Sequence, residues 1–501
     1  MKKWILLFAV FLLILPGSTY AGSFGGDYTG TPGQWYVGDA PSSQNTSKSP
    51  VVFVHGLNSS SNTWWNGNDM YSTALANGYQ TAFVDLYPTK NMWDNGALLS
   101  QKLSEIYQYF GGKKLVLVTH SKGGIDAQSA LVHYGAHQYV SNLITLSTPH
   151  SGSQLADLAY SSWAGWLSGI LGSKNDAVYS LQTGYMSQFR TQTDAHANSR
   201  KNPIYTFGGT KWGSFGSSLY WGGLYLSSYG SNDGAVTVQS SRLGYGREIK
   251  TGSWDHYSVN KGSSTFLLFE PYLRTAGTAS FATSNSEDVS VSDASSAFYI
   301  RGGEFSGVKQ ESFYAENGVR KVTVDWLSSS KQTKLSLHSP DGKKVITSFK
   351  TAAADGIFSG AYHHQAVLTL PESGKWQLTA QNQDKEAYLL HVSYSSDNHD
   401  AISMQPLSKQ NQKISFKINS AKALKETEAT ITIDQYKNKT KIRSQKLTKT
   451  KQQTSAGIHL AQEGLYNITV EARGKTQKGE IIERTFIKSV YVNADGKWFV
   501  Q

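Results

Sequence analysis

The chain has 501 residues, no cysteine, and a formal net charge of +11. This length predicts two or three domains, and the lack of cysteine excludes a disulfide scaffold. Residues 401–501 hold 18 Lys and Arg against 8 Asp and Glu, so the positive charge belongs to the carboxyl-terminal end. Such a patch favours anionic surfaces such as cell-wall polymers, and the alternative is an ordinary solvated face. No motif indicates a specific nucleic-acid partner.

The amino terminus has the pattern of a signal peptide. Lys2 and Lys3 precede an apolar run over residues 4–15, and small residues follow up to Ala21. This predicts a signal peptide over residues 1–21, because the run is too short for a membrane span. No other stretch predicts a transmembrane segment, so we expect a secreted, extracellular protein, with cell-wall association left open. Residues 22–47 are rich in Gly, Ser, Thr and Asn and predict an extended leader.

Residues 48–274 alternate between strand-like and helical patterns. The clearest helical pattern covers residues 98–110 and is closed by Gly111 and Gly112. This alternation predicts an α/β fold, with a mostly parallel sheet and helices on both faces. The strand-like runs are residues 51–54, 81–86, 115–118, 143–146, 204–207 and 247–250.

Two of these strands end in motifs that carry chemistry. The first is followed by His55-Gly56-Leu57, which turns the backbone so that the Leu57 N–H points into a cleft. The third runs into residues 119–124, with the sequence Thr-His-Ser-Lys-Gly-Gly. A strand, a sharp turn with Ser121 and a helix predict an exposed nucleophile, although Thr119 stands where such elbows usually have glycine. The N–H groups of Leu57 and Lys122 would form an oxyanion hole.

The next segment is apolar without a clear period. Residues 147–153 form a Ser-Thr-Pro-His-Ser-Gly-Ser turn, and residues 154–190 follow with many large side chains. Trp163, Trp166 and Leu167 are candidates for a lid or an acyl-binding wall over the serine. An ordinary core helix is the alternative.

Two further residues complete a nucleophilic site. Asp233 lies in an Asn-Asp-Gly turn, and His256 follows it in the chain. The order Ser121, Asp233, His256 is that of the α/β hydrolases. Other candidates are weaker: His55 and His120 belong to the backbone-shaping motifs, Asp85 is the rival acid, and Asp126 is expected on a helix surface.

On these motifs, residues 48–274 resemble the secreted bacterial lipases and esterases of the α/β-hydrolase superfamily. The resemblance implies ester hydrolysis with Ser121 as nucleophile, His256 as base and Asp233 as its orienting acid, without a cofactor. Some lipases of this group bind calcium through an aspartate two residues after the histidine. That position is Ser258 here, so we predict no metal.

After residue 272 the composition changes. Residues 275–296 are dominated by Ala, Ser and Thr and predict a linker. Beyond them, short alternating runs separated by Gly and Pro turns predict two all-β modules. These are a β-sandwich over residues 297–398 and a basic module over residues 399–501, the latter similar to bacterial immunoglobulin-like modules.

The sequence thus predicts a secreted carboxylic-ester hydrolase, a lipase or esterase that acts on a lipid or another ester. An extracellular polyester depolymerase of the polyhydroxyalkanoate type is an alternative, because the added β modules suit adhesion to a polymer. A surface-binding protein with an inert hydrolase half is another, and the complete set of site residues argues against it.

Overall fold

The computed structural model describes residues 30–42, 48–274, 294–295, 297–396, 402–404, 408–410, 413–419, 424–450 and 455–500. The predicted signal peptide and nearly all of the predicted linker lie outside these ranges. Within them, no helix is long and apolar enough to cross a membrane.

The amino-terminal half is built on a seven-stranded sheet. Its strands are β1 Trp35–Val37, β2 Val51–Val54, β3 Thr81–Val84, β4 Leu115–His120, β5 Val140–Leu146, β6 Ile204–Gly209 and β7 Arg247–Gly252. They lie in the order β1-β3-β2-β4-β5-β6-β7, and β2 to β7 are parallel. The predicted α/β fold is therefore confirmed. Part of the predicted leader forms the antiparallel edge strand β1.

Helices cover both faces of this sheet. They are α1 Met70–Ala76, α2 Met92–Tyr109, α3 Gly123–His133, α4 Gln154–Ala159, α5 Gly165–Ile170, α6 Asp176–Ser180, α7 Thr183–Asp194, α8 Ser218–Leu226, α9 Val238–Ser241 and α10 Gly262–Phe269. Alternate residues of β2 enter different cores: Val52 and Val54 pack with α2 and α3, whereas Val51 and Phe53 pack with α1 and α10. A strand buried on both faces needs a continuous apolar run, which is what β2 has.

The carboxyl-terminal half is antiparallel. Its strands are β8 Ala294–Ser295, β9 Phe298–Ala315, β10 Val319–Ser328, β11 Lys334–His338, β12 Val345–Ile346, β13 Lys350–Ala353, β14 Tyr362–Thr369, β15 Gly374–Ser396, β16 Ser403–Met404, β17 Ser408–Gln410, β18 Lys413–Asn419, β19 Leu424–Lys437, β20 Thr440–Thr450, β21 Ser455–His459, β22 Gly464–Thr476, β23 Ile481–Val492 and β24 Trp498–Phe499. They form three sheets, and the predicted all-β modules are confirmed.

The first β module, residues 297–396, is one seven-stranded sheet organised around β15. This strand pairs with β9 along its length, and on its other edge with β11 first and then β10. A bulge between Asn382 and Glu386 separates these two halves, which share one apolar core. The strands of the second β module, residues 402–500, lie in two sheets. Strands β19, β22 and β23 of one sheet supply most of the core, and Ile402 and Met404, beside the other sheet, pack against it.

The β modules are packed against the amino-terminal half of the chain. One apolar cluster, here called the module interface, joins Tyr160 and Leu181 to Phe298 of the first module and to Tyr436 and Ile487 of the second. A polar contact lies within it, where the buried Asp157 carboxylate accepts hydrogen bonds from Thr183 and from Ser489 of β23. The two halves of the chain therefore share a core.

Candidate active site

Ser121 lies in the turn between β4 and α3 and has a φ of +53°. This left-handed backbone is costly for a residue with a side chain, and it is held here by close packing. A Cβ on Gly123 would lie 2.3 Å from the carbonyl oxygen of His55, and a Cβ on Gly56 would lie 2.8 Å from the Cβ of Ser121. Glycine at both positions lets the His55-Gly56-Leu57 loop contact the serine turn directly.

The three predicted side chains meet in one hydrogen-bonded line. His256 Nε2 lies 3.1 Å from Ser121 Oγ, and His256 Nδ1 lies 2.8 Å from Asp233 Oδ2. The other carboxylate oxygen, Oδ1, accepts from the N–H groups of Ala235 and Val236 at 2.9 and 2.7 Å. A base that contacts a hydroxyl on one side and a carboxylate on the other has the arrangement needed to activate a serine.

Burial and charge act in opposite directions on this pair. Burial alone would lower the pKa of His256, but the Asp233 carboxylate raises it above its ordinary value of 6.5. Burial alone would raise the pKa of Asp233, but His256 and the N–H groups of Ala235 and Val236 hold it below 3.8. The imidazolium form is thus favoured at this place, as proton transfer from a serine requires.

The two predicted oxyanion donors flank the serine. Leu57 lines the cleft beside Ser121, and Lys122 follows the serine in the turn. Within the described residues, neither Leu57 N–H nor Lys122 N–H has a hydrogen-bond acceptor. Both groups are therefore available to a ligand, and their role as an oxyanion hole stays a prediction.

The other candidate residues have different places. His55 Nε2 accepts from Leu86 N–H, and His120 Nε2 donates to the carbonyl oxygen of His256 at 2.8 Å. Asp85 accepts from the N–H groups of Thr31 and Ser61, away from the imidazole. The prediction that Asp126 lies on a helix surface is wrong.

Asp126 is 2% exposed and accepts hydrogen bonds from Lys122 Nζ, one helical turn away. Burial raises the pKa of this carboxyl above its ordinary value, and the Lys122 ammonium opposes that rise only in part. Within the described chain, no group of three or more His, Asp or Glu side chains is arranged to hold a metal ion.

The cleft at Ser121 has mostly apolar walls. The amino-terminal half contributes Leu57, Pro149, Leu155, Leu181, Leu219, Trp221 and Val236, among others. Trp163, Trp166 and Leu167, expected as a lid or acyl wall, do not line it. Helix α5 turns instead toward β9 and β15, so Leu167 is buried in the module interface and Trp166 is 55% exposed.

The first β module contributes to the same cleft. Asp355, Gly356, Ile357 and Phe358, here called the cleft segment, line it together with His363. The Asp355 carboxylate accepts from the hydroxyl of Tyr257 at 2.6 Å, and Phe358 meets Trp221 edge to face at 5.4 Å between ring centroids. Sequence reasoning missed this segment because Asp-Gly-Ile-Phe has the pattern of an ordinary turn, with nothing local to indicate its distant contact.

Comparisons with known proteins agree with the α/β fold of the amino-terminal half. Residues 92–162 match the family described as PGAP1-like alpha/beta domain. The lipase BlEst2 of Bacillus licheniformis, solved in its propeptide form, is 42% identical with a TM-score of 0.83, covering 94% of this chain and 100% of that one. Its mature form is 58% identical, covering 49% of this chain and 100% of that one, with a TM-score of 0.47.

A curated relative covers a shorter part. Triacylglycerol lipase 2 of Saccharomyces cerevisiae is 30% identical over 171 residues, which are 32% of this chain. The match covers 51% of that protein, so the chain spans about half the length of this relative.

Proposed function

Because the chain belongs to the lipases and esterases of the α/β-hydrolase superfamily, the carboxylic-ester hydrolases, we propose that it is an exported serine hydrolase of acyl esters. The line of hydrogen bonds from Asp233 through His256 to Ser121 carries this proposal. Export is supported by the signal-peptide pattern of residues 1–21.

The first half-reaction forms an acyl-enzyme. Ser121 Oγ attacks the ester carbonyl carbon while His256 Nε2 takes the hydroxyl proton, and the carbonyl oxygen becomes an oxyanion. The N–H groups of Leu57 and Lys122 hold that oxyanion, and Asp233 stabilises the imidazolium. The tetrahedral adduct then collapses, its bond to the alcohol oxygen breaks, and His256 returns the proton to the leaving alcohol.

The second half-reaction releases the acid. A water molecule attacks the acyl carbon, and His256 takes one of its protons. The bond from the acyl carbon to Ser121 Oγ then breaks, and the proton returns to the serine oxygen. The enzyme is regenerated without a cofactor.

The walls of the cleft support an acyl chain as the bound group. Leu155, Leu181, Leu219 and Val236 offer apolar side chains beside the serine. Each methylene buried against such walls contributes about 0.8 kcal/mol. Medium or long acyl esters, as in lipids, therefore suit the cleft better than acetyl esters do.

The β modules suit a precursor that is cut before it acts fully. The cleft segment shares the cleft with Ser121 and is tied to the hydrolase half by Tyr257 and by Asn58, whose amide donates to the Gly356 carbonyl at 2.9 Å. A 42% identical lipase was solved in a propeptide form. We therefore include in the proposal that cleavage after residue 274 and loss of the β modules uncover the cleft.

A fluorophosphonate probe tests the chemistry. Wild-type protein should be labelled at Ser121, whether it is intact or cleaved. The variant Ser121→Ala should not be labelled, and it should hydrolyse nitrophenyl esters only at the low residual rate that binding alone gives. Labelling at another residue would overturn the assignment of Ser121 as the nucleophile. So would a Ser121→Ala variant that keeps more than about a tenth of the wild-type rate.

Controlled cleavage tests the precursor. A specific protease sequence inserted between residues 275 and 293 lets the same sample be assayed before and after the cut. We expect hydrolysis of nitrophenyl palmitate to rise once the cut β modules have been removed. An unchanged rate with the modules demonstrably gone would rule out their covering role.

A further inference from the structure

A chain of buried polar contacts joins the two proposed oxyanion donors. It begins at Lys122, whose Nζ lies 2.6 and 2.8 Å from the two oxygens of Asp126. Both side chains are almost fully buried. A buried ion pair is costly, and apolar residues of similar size often give equal or greater stability. The pair is therefore a poor device for stability alone.

Asn95 extends the contact from the serine turn to the loop after β3. Its Nδ2 donates to Asp126 Oδ2 at 3.0 Å and to the Tyr87 carbonyl at 2.9 Å, and its Oδ1 accepts from Tyr87 N–H at 3.1 Å. Helices α2 and α3 come close enough for this because the next residue is Gly96, whose Cβ would lie 2.5 Å from Ser129 Oγ. Asn95 thus fixes residue 87 against α3.

The same loop also holds the Leu57 side of the site. Leu86 N–H donates to His55 Nε2 at 2.9 Å, and Asn58 N–H donates to the Pro88 carbonyl at 3.1 Å. His55 Nδ1 in turn donates to the Gly56 carbonyl at 2.9 Å, because Nε2 is already an acceptor. Residues on both sides of Leu57 are therefore fixed to residues 86–88.

From these contacts we infer that Lys122, Asp126 and Asn95 are positioning residues that set the spacing between the Leu57 and Lys122 N–H groups. This rests on the proposed acyl transfer at Ser121. The network touches no reacting atom: it connects the two backbone segments that carry the donors. Oxyanion donors are effective only within a few tenths of an ångström of their hydrogen-bonding distance, so the relative position of these segments controls the rate.

Two variants interrupt the network in different places. Asn95→Ala removes the amide that joins α3 to residue 87. The double variant Lys122→Met with Asp126→Leu replaces the ion pair by apolar side chains and keeps the backbone donor of residue 122. Asn202→Ala is the matched control, since the Asn202 amide is also buried and donates to the carbonyls of His137 and Val140. These residues lie near the amino-terminal ends of β5 and β6, at the opposite end of the strands from the serine turn.

We expect kcat for a nitrophenyl ester to fall about tenfold or more in both network variants, with KM changed less than about threefold. Affinity for a trifluoromethyl ketone, which forms an oxyanion adduct with the serine, should fall by a similar factor. The acid limb of the pH profile should stay in place, because His256 and Asp233 are untouched. Asn202→Ala should keep wild-type values for all three.

Loss of folding is detected separately, from the thermal midpoint and the fluorophosphonate label at Ser121. If Asn95→Ala does not fold, the double variant Lys122→Met with Asp126→Leu tests the positioning role by itself. Folded variants with wild-type kcat and ketone affinity would overturn the positioning role, as would a shifted acid limb. Failure of the wild-type protein to be labelled at Ser121 would instead refute the proposed function itself.

Discussion

His256 experiences two opposing influences at one imidazole. Burial favours its neutral form, and the Asp233 carboxylate, 2.8 Å from Nδ1, favours the cation strongly enough to bring its pKa above 6.5. In the proposed mechanism, His256 must be neutral to accept the serine proton. Activity should therefore fall as the pH drops through a value above 6.5.

Asp233→Asn separates the two influences at this residue. The carboxylate that raises the pKa of His256 is lost while burial remains, so the acid limb of kcat/KM should move to lower pH. The rate at neutral pH should fall by about 10⁴-fold, because the amide also favours the wrong tautomer. Measurement of kcat/KM between pH 5 and 9 checks both effects. Asp255→Asn is the control. A large loss of kcat/KM in that variant would contradict the assignment of Asp233 as the acid that orients His256.

Most of the site could be predicted from single residues because its motifs are local. The turn at Ser121, the turn at Asp233 and the position of His256 each have a signature of a few letters, and the parallel sheet brings strand ends to one edge. The burial of Asp126 could not be predicted so, since a carboxylate on a helix is usually solvated. Only the one-turn spacing to Lys122 indicated a partner.

At the scale of elements, the cleft segment is a short turn with a large effect on access. Ile357 and Phe358 are nearly buried, although they belong to a surface turn of the first β module. Their burial depends on the hydrolase half, with Phe358 set against Trp221. Removing these two side chains should therefore open the cleft without disturbing the core of the first module.

Replacing Ile357 and Phe358 by serine should raise hydrolysis of nitrophenyl palmitate by the uncut chain about tenfold or more. Each buried apolar side chain of this size stabilises the closed arrangement by roughly 1.5–3 kcal/mol. Steady-state rates on the uncut variant, with electrophoresis to confirm that it is uncut, measure the effect. Leu370→Ser, at a side chain 76% exposed on the same module, is the control. No gain in the double variant would show that these side chains do not restrict access.

The segment over residues 154–190 shows why apolar patterns alone mislead. Most of its large apolar side chains are buried, although Trp166 and Ile170 are exposed. The pattern cannot tell whether an acyl chain or another part of the protein covers the buried ones. Leu155 and Leu181 line the cleft and also belong to the module interface, whereas Leu167 belongs to the module interface and does not line the cleft. That division is set by strands more than 100 residues further along the chain, which no local period encodes.

At the scale of the whole molecule, the module interface depends on close backbone contact. Gly184 in α7 faces β23 so closely that a Cβ would lie 2.8 Å from the Tyr491 nitrogen and 2.9 Å from the Ser489 carbonyl carbon. Its N–H donates to Ser489 Oγ at 2.8 Å. Any side chain here would push the second module away from the hydrolase half.

Gly184→Ala should loosen the second module and lower its thermal midpoint. Gly169→Ala, in α5 with open space around the position, should be neutral or slightly stabilising, because alanine favours a helix by about 1 kcal/mol over glycine. Thermal unfolding and limited proteolysis of the two variants compare them directly. Equal behaviour would mean that the interface adjusts to a methyl group.

Buried neutral histidines should make the molecule sensitive to acid. Burial lowers the pKa of His120 to about 3 and that of His391 to about 4. Below pH 6.5 these two histidines become protonated in the unfolded chain, whereas in the folded protein they stay neutral. Each therefore costs about 1.4 kcal/mol of stability per pH unit, until the pH reaches its folded pKa.

His391→Phe tests this at a ring that contacts Trp221, Tyr225 and Phe298. Relative to wild type, the variant should gain about 2 kcal/mol between pH 6.5 and pH 5, seen as a urea midpoint that falls less on acidification. The exposed His196→Phe serves for comparison. An identical pH dependence in wild type and His391→Phe would contradict the burial effect.

The module interface has a consequence for where a shortened enzyme would go. The cluster that joins the two halves contains Leu155, Leu181 and Trp221, which also line the cleft. Loss of the β modules would therefore expose an apolar surface that is continuous with the entrance of the cleft. Such a surface adsorbs to an oil droplet or a bilayer with the reactive serine toward the lipid. One cut would then change both access to Ser121 and the phase in which the enzyme resides, from dissolved precursor to interfacial catalyst.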